Sequence, residues 1–410
     1  MASLKQQIAS SVSEHLGEHS RQVFALVRRL RPLIATQRFG VVSRADDVRE
    51  VLADYEHFGV PNYNTKMTEM SGPFILGLDD TPLYKRDHAA LRAAIRRDDI
   101  PALASATLLA ARERVAAADG RVDVVRDFVE PTVDRVIAGY FGTPGPDTAT
   151  QLRWSKVIFQ DVFLNLTNSA TPHELALEAA AQWRPHLDAQ IAARRAAIEA
   201  ADSVPDDVLT RLLRDRPSEG GLHPIAVRHN LIGLIAGWIP TVSKALTSAI
   251  EELLRRPQEL EQAQAAARAG DQESLGACLF EALRFRPQTW ALVRTCMDDR
   301  VVASGTRRAT TFHTGCTVLV ATQSAMFDPS AFPSPNVFRT DRPFDSYLHF
   351  GHGLHTCFGR EINRVHLPAL ATALLEGPAI KRAPGDAGQL TWDGAYPKSL
   401  TVTFAGNGSA

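Results

Sequence analysis

The chain has 410 residues, 45% of them hydrophobic, and a formal net charge of −1. This balance leaves no basic footprint for nucleic acid, no uninterrupted apolar run reaches membrane-span length, and the start, Met1-Ala2-Ser3-Leu4-Lys5-Gln6-Gln7, lacks the apolar stretch of a secretory signal. Four cysteines (Cys278, Cys296, Cys316, Cys357) without paired spacing fit a reducing cytoplasm, and with no linker or repeat residues 1–410 are expected to form one domain with a large core.

In chain order, Ile8 to Leu30 has helical period, Phe39-Gly40-Val41-Val42 predicts a short strand, and Asp46 to Leu52 a helix with acids in its first turn. Pro61 to Pro73 is rich in Asn, Thr and Gly and is expected to be a loop. Asp80 to Arg97 predicts a basic helix, followed by helices near Pro101–Ala118, Val122–Phe141, Thr148–Leu166 and Thr171–Ala201. Pro144-Gly145-Pro146 and Pro217-Ser218-Glu219-Gly220-Gly221 separate helices. A long helix spans about Pro224 to Arg256, and Asp271 to Phe285 another. Val293 to Val320 holds β-branched segments around Ser304-Gly305 and Thr314-Gly315, which predict a small sheet. Arg360 to Leu375 predicts a helix and Leu400 to Phe404 a last strand. The expected class is mainly α with small β-sheets.

One stretch stands out: Phe350-Gly351-His352-Gly353-Leu354-His355-Thr356-Cys357-Phe358-Gly359. It sets a cysteine in a glycine-rich loop just before a helix. Gly353 and Gly359 allow close backbone approach and positive φ, backbone N–H groups can moderate a thiolate's charge, and the helix N-terminus faces the anion. Phe350 would cover the sulfur from water. Upstream, Glu281-Ala282-Leu283-Arg284 puts acid and base on one helix face, a common pairing that is weak alone.

The loop closely resembles the haem-binding loop of the cytochrome P450 superfamily, Phe-Gly-x-Gly-x-His-x-Cys-x-Gly, and the resemblance runs from about residue 39 to the end. It implies the P450 fold, with haem b held between a long distal helix and the proximal Cys loop. It implies that Cys357 is the thiolate and metal ligand, which pushes electron density onto the iron. Glu281 and Arg284 look like the family's Glu-x-x-Arg pair, a buried structural brace with Arg342, at the end of Phe332 to Arg342, as third member. His355, Arg294, His88 and Arg92 match positions that serve the haem propionates, with Phe350, Gly351 and Gly359 lining the loop. Tyr84 or Arg86 could replace His88, whose helix departs from the usual spacing.

The distal helix departs further. Leu234-Ile235-Ala236-Gly237-Trp238-Ile239-Pro240-Thr241 stands where the family has Ala-Gly-x-Asp/Glu-Thr-Thr. Ala236 and Gly237 fit. Ile239 replaces the acid, Pro240 the first alcohol, and Thr241 matches the second. The acid–alcohol pair delivers protons for dioxygen activation, a contribution of about a hundred- to ten-thousand-fold. Its loss points to a non-standard route: peroxide use, or redox-neutral cleavage of an O–O or N–O bond with rearrangement, cyclisation or nitrogen transfer. The alternative is an ordinary NAD(P)H- and ferredoxin-dependent monooxygenase in which Thr241, water or substrate supplies the proton. A third reading, from another class, is a non-catalytic haem sensor.

The pocket is expected to use Asn62, Tyr63, Phe74, Phe163, Trp238, Trp290, Ala291, Leu292 and Tyr396, with Asn64 and Lys66 nearby, a mixture suited to a partly aromatic or amphipathic small molecule. The resemblance implies a small-molecule substrate in specialised metabolism. Electrons would come from separate ferredoxin and ferredoxin reductase if the chemistry uses dioxygen. No nucleic-acid or membrane partner is expected.

Overall fold

The computed structural model describes residues 21–215 and 221–404. The Pro217–Gly220 break and residues 8–20 of the first predicted helix lie outside the described residues; residues 21–30 are helical.

Helices dominate, and one of them organises the rest. Pro224–Leu254 runs through the middle, packed against Thr148–Phe159, Gln272–Phe285 and Glu130–Phe141. Pro224 sits in its first turn, where a missing N–H costs nothing. Its apolar residues recur all round, as suits a helix buried on most sides. It is the one described helix long and apolar enough to cross a membrane, and most of it is buried inside the protein. On the other side, Arg360–Leu375 packs against Ile100–Ala116 and Gln272–Phe285.

The small sheets sit at the periphery. Five strands run in the order Leu33–Ala35, Phe39–Val42, Thr317–Val320, Leu292–Cys296, Phe58–Gly59. Phe39–Val42 pairs parallel to Thr317–Val320, and the other ladders are antiparallel. Thr401–Phe404 lies between Arg121–Asp123 and Ile380–Arg382, and Thr391–Asp393 with Tyr396–Ser399 makes a hairpin.

The expected loop at Pro61 to Pro73 is instead largely a helix, Pro61–Met70. Pro61 starts it, and Tyr63, Met67 and Met70 form a buried stripe at helical spacing that outweighs the turn-forming composition. The Val122–Phe141 span divides into the strand Arg121–Asp123, a π-helical turn Val124–Val129 and the helix Glu130–Phe141. Asp123 forces the change: its carboxylate accepts from the N–H groups of Val125 and Arg126. Thr148–Leu166 likewise ends in a π-helical turn, Gln160–Leu164. Two helices, Val208–Arg214 and Pro257–Ala269, were not expected from the sequence.

The proximal side is braced by the fully buried pair Glu281–Arg284, with nitrogen and oxygen 2.6 Å apart. Glu281 also accepts from the Arg339 N–H at 3.0 Å, the Tyr347 hydroxyl at 2.8 Å and Arg342 at 3.4 Å. Arg284 spends its remaining donors on the carbonyls of Met326, Pro335 and Val337. Burial alone would raise the Glu281 pKa, but Arg284 and these donors hold it below the ordinary carboxylate value. Replacing Arg284 by Met leaves Glu281 buried without its counterion. The Arg284→Met variant should lose about 3–5 kcal/mol of stability by denaturant titration. The exposed Arg339–Asp341 pair provides the contrast: breaking it by Arg339→Met should cost no more than about 1 kcal/mol. Equal midpoints for Arg284→Met and the wild type would show that the pair does not brace the fold.

Candidate active site

The cysteine loop is held from several directions. Gly353–His355 makes a single 3-10 turn. The Cys357 N–H donates to the Phe350 carbonyl at 2.8 Å, and the Arg360 N–H to the Cys357 carbonyl at 3.1 Å. Gly353 has φ of 73°, and a Cβ there would lie 2.4 Å from the Leu52 carbonyl oxygen, so only glycine fits. Gly351 also has φ of 73°. Gly359 does not have the expected positive φ; it stands at −85° as the residue capping Arg360–Leu375. Its small size is needed for proximity instead, because a Cβ would sit 3.0 Å from Asn363 Nδ2 and 3.9 Å from Cys357 Sγ. Phe350 packs against Phe280 and Phe344, with centroids 6.2 and 5.9 Å away.

Cys278, Cys296 and Cys316 are buried and Cys357 is half-buried. Burial pushes the Cys357 thiol up, while the Gly359 N–H and the Arg92 guanidinium pull it down, and burial wins. A cation bound at this sulfur would favour its deprotonated form. Arg92 lies close by: its guanidinium stacks 3.8 Å from the Phe358 ring centroid and donates to the Phe358 carbonyl at 3.2 Å.

Of the donors expected around the cofactor, His88 and His355 share one cleft beside this loop. Tyr84, His88, His355 and Phe358 line it, with Ile75 and Leu354. His88 stacks on Tyr84 at 5.3 Å and meets Phe358 edge-on at 5.5 Å. Burial, then Arg92, lowers its pKa, so the ring is held neutral. Tyr84 is committed to the Leu354 carbonyl at 3.3 Å. Arg86 is turned outward onto Asp87 and does not reach the cleft. Both ring nitrogens of His355 are buried without a hydrogen-bond partner, the Asp79 carboxylate being 3.5 Å from Nε2. Arg294 is 4% exposed. It donates to the Val293 carbonyl at 2.8 Å and makes no ion pair among the described residues. Burial lowers its pKa, with Tyr63 and Asp79 opposing.

The distal helix shows its open side by what escapes burial. Between Asn230 and Leu253 only Leu234, Gly237, Thr241 and Lys244 are not buried. These positions share one helix face. A Cβ on Gly237 would meet nothing within 4 Å. Thr241 Oγ1 donates to the Gly237 carbonyl at 2.6 Å and lies 3.1 Å from that of Trp238. Ala236, Ile239 and Pro240 are buried off this face. The helix continues through Pro240, although the Ala236 carbonyl loses its i+4 donor. So the alcohol presented to the open side is Thr241, and the residue before it is the proline.

Several expected pocket residues pack elsewhere. Trp238 turns into the core, edge-on to Phe141 and His366 at 5.7 and 5.6 Å. Trp290 lies against Phe24, with centroids 5.5 Å apart, in a small cluster with Val41 and Ala321. Asn62 is exposed. Tyr63 is buried against Phe163 at 5.0 Å and accepts the Val293 N–H at 3.2 Å, which sets the strand bearing Arg294. Tyr396 is buried and donates to the Lys156 carbonyl at 3.0 Å. Phe74 is fully buried. Ala291 and Leu292 are half-buried, and Leu292 Cδ1 approaches the Gly351 position within 3.5 Å. Lys66 caps the end of the Gln160–Leu164 turn by donating to the Asp161 and Asn165 carbonyls at 2.9 and 2.6 Å. The sequence reading missed Tyr347 and Lys244. The helical spacing of Lys244 from Gly237 and Thr241 was the available signal.

The family model for cytochrome P450 matches residues 33–386. Mycinamicin IV hydroxylase/epoxidase of Micromonospora griseorubida is 26% identical over 370 residues, covering 88% of this chain and 85% of that protein. Linoleate diol synthase of Gaeumannomyces graminis is 40% identical over 93 residues, which is 23% of this chain and only 8% of that protein, so the likeness is local. The fold matches the solved structure of P450BioI in complex with hexadec-9Z-enoic acid ligated acyl carrier protein, with a TM-score of 0.81 and 19% identity over 97% of this chain and 100% of that one. The kinship with named hydroxylases and monooxygenases decides for an enzyme over a sensor. The chain belongs to the cytochrome P450 family, as a haem-thiolate oxidoreductase whose cofactor is haem b on a cysteine thiolate.

Proposed function

We propose that this enzyme is a monooxygenase of specialised metabolism that hydroxylates or epoxidises a small, partly aromatic or amphipathic molecule, with Cys357 as the iron ligand and Thr241 as the protic group on the distal side. The residues present suit the cofactor. Burial disfavours the Cys357 thiolate, and a bound iron would favour it. The two partnerless ring nitrogens of His355 and the buried Arg294 suit the propionates, and Arg92 and His88 flank the same cleft. When bound, the haem supplies oxidising chemistry toward a C–H or C=C bond.

The observation that carries the reading is the Thr241 hydroxyl. It lies on the open stripe of the distal helix, with its hydrogen given to the Gly237 carbonyl. Its lone pairs are left to accept from a water or a substrate hydroxyl, so it can hold a proton donor in place. Gly237 leaves room beside it. Small-molecule access and separate ferredoxin and reductase proteins in the cytoplasm complete the proposal.

Pro240 favours a second reading. No carboxylate stands beside Thr241, since Ile239 and Pro240 are apolar and buried. A reactant that brings its own oxidised O–O or N–O bond demands less proton delivery, and the local likeness to linoleate diol synthase is compatible with it.

Three measurements test these assignments. Cys357→Ala should abolish the red-shifted Soret band of the reduced carbonyl complex, which a thiolate ligand confers; a normal band would remove Cys357 as ligand. Product formation should require a surrogate ferredoxin, its reductase, NADPH and oxygen, measured by mass spectrometry on a panel of small molecules. Product formed from peroxide or hydroperoxide without reductant establishes the second reading. Under the first, Thr241→Val lowers reductant-driven product by about a hundredfold with ligand affinity unchanged; full activity in that variant would discard the Thr241 role.

A further inference from the structure

The distal stripe ends in a cation that oxygenation does not use. Lys244 follows Thr241 by three residues and Gly237 by seven, so all three stand on one face of the helix. Its ammonium lies 5.8 Å from the centroid of the Trp392 ring, on the Thr391–Asp393 strand of the hairpin. Among the described residues it makes no ion pair. Glu130, on a neighbouring helix, is taken: Lys156 reaches it at 2.5 Å and Ser243 at 3.2 Å. The hairpin's own charges, Asp393 and Lys398, are exposed to solvent.

A half-buried ammonium with an indole ring face beside it and no ion pair among the described residues lacks a protein counterion. Burial pushes its pKa down to about 8, so it remains largely charged at neutral pH. An arriving anion would relieve that cost. No carboxylate among the described residues forms an ion pair with it, which leaves that place to the anion of a ligand.

We propose that Lys244 anchors a carboxylate of the substrate, so that the enzyme takes small organic acids held head-first beside Trp392. This rests on the reading of the open stripe as the wall of the haem cavity. Seven residues of helix separate anchor from open ground, roughly 10 Å. The acid's carbon skeleton then runs along the helix past Thr241 toward Gly237, where its far end meets the reacting centre. Specificity follows from desolvation: an ester or amide of the same skeleton leaves the ammonium unpaired and binds more weakly.

The test uses haem-loaded enzyme and ω-imidazolyl alkanoic acids of graded chain length, each against its primary amide. The imidazole nitrogen reports binding through the Soret shift. At the chain length that fits, the acid should bind at least about tenfold tighter than the amide. The preference should vanish in Lys244→Met and in Lys244→Gln, and persist in Lys244→Arg. 4-Phenylimidazole, which has no acid, should bind all four proteins alike. No acid-over-amide preference in the wild type at any chain length overturns the proposal, as does a preference that survives in Lys244→Met or Lys244→Gln. If 4-phenylimidazole gives no Soret shift in the wild type, the haem-cavity reading fails instead. Calorimetric titration with decanoate and decanamide then decides the Lys244 site separately: a decanoate preference lost in Lys244→Gln upholds it, and equal binding of the two probes discards it.

Discussion

The buried Glu281–Arg284 pair is the constraint on which the proximal half of the molecule rests. Two charges without solvent are tolerable only when every remaining donor and acceptor is used. Here the unused valences of the pair reach out to three separate pieces of chain: the Met326 carbonyl, the 335–339 stretch through the Pro335 and Val337 carbonyls and the Arg339 N–H, and the Tyr347 hydroxyl. Irregular backbone is thereby tied down as firmly as a helix would be. Tyr347 leads directly to His349, which contacts the Phe280 carbonyl at 2.8 Å and is kept neutral by burial, its pKa pushed down to about 4. The cysteine loop begins at the next residue. The position of Cys357 is thus inherited from an ion pair on another helix.

On the distal side the organising fact is a face rather than a motif. A linear pattern sets Thr241 against the family's second alcohol and Pro240 against the first. The helix has its own geometry, and its open stripe runs Leu234, Gly237, Thr241, Lys244. On that stripe Thr241 is the alcohol present, while Ile239 and Pro240, which stand in place of the acid and the first alcohol, are buried off it. This shifts the chemical question. An enzyme without any distal hydroxyl would have to avoid proton delivery, whereas under the proposed role of Thr241 only a source of protons behind it is needed.

The cysteine loop and the Glu281–Arg284 pair were legible because their chemistry is encoded by residues close in sequence. Helices with strong periodicity were legible for the same reason. The Pro61–Met70 helix was hidden, because its polar residues read as a turn while its buried stripe has only Tyr63, Met67 and Met70 to announce it. Aromatic identity misled at Trp238 and Trp290. Both were expected in the pocket, yet a large ring fills whichever void is nearest, and here those voids are beside Phe141 and Phe24. A side chain's direction depends on helix phase and on neighbours distant in sequence, which the composition of a segment does not contain.

Phase also sorts the charges. Several buried carboxylates in this protein have arginine partners: Asp47 with Arg308 at 2.9 Å, Asp207 with Arg194 at 2.6 Å, Glu251 with Arg382 at 2.8 Å. Against that pattern, Arg294 and Lys244 make no ion pair among the described residues, and both ring nitrogens of His355 lack a hydrogen-bond partner. Leaving such groups without a full set of partners costs free energy where they are desolvated. Their isolation makes sense if their partners are ligands. His355 lines the cleft beside the cysteine loop, Arg294 is buried on the Leu292–Cys296 strand, and Lys244 stands on the open stripe of the distal helix. The folded state should then be bound to its ligands thermodynamically, because anything that binds the native protein alone stabilises it by mass action. Haem is on this view part of the fold's charge balance as well as its chemistry.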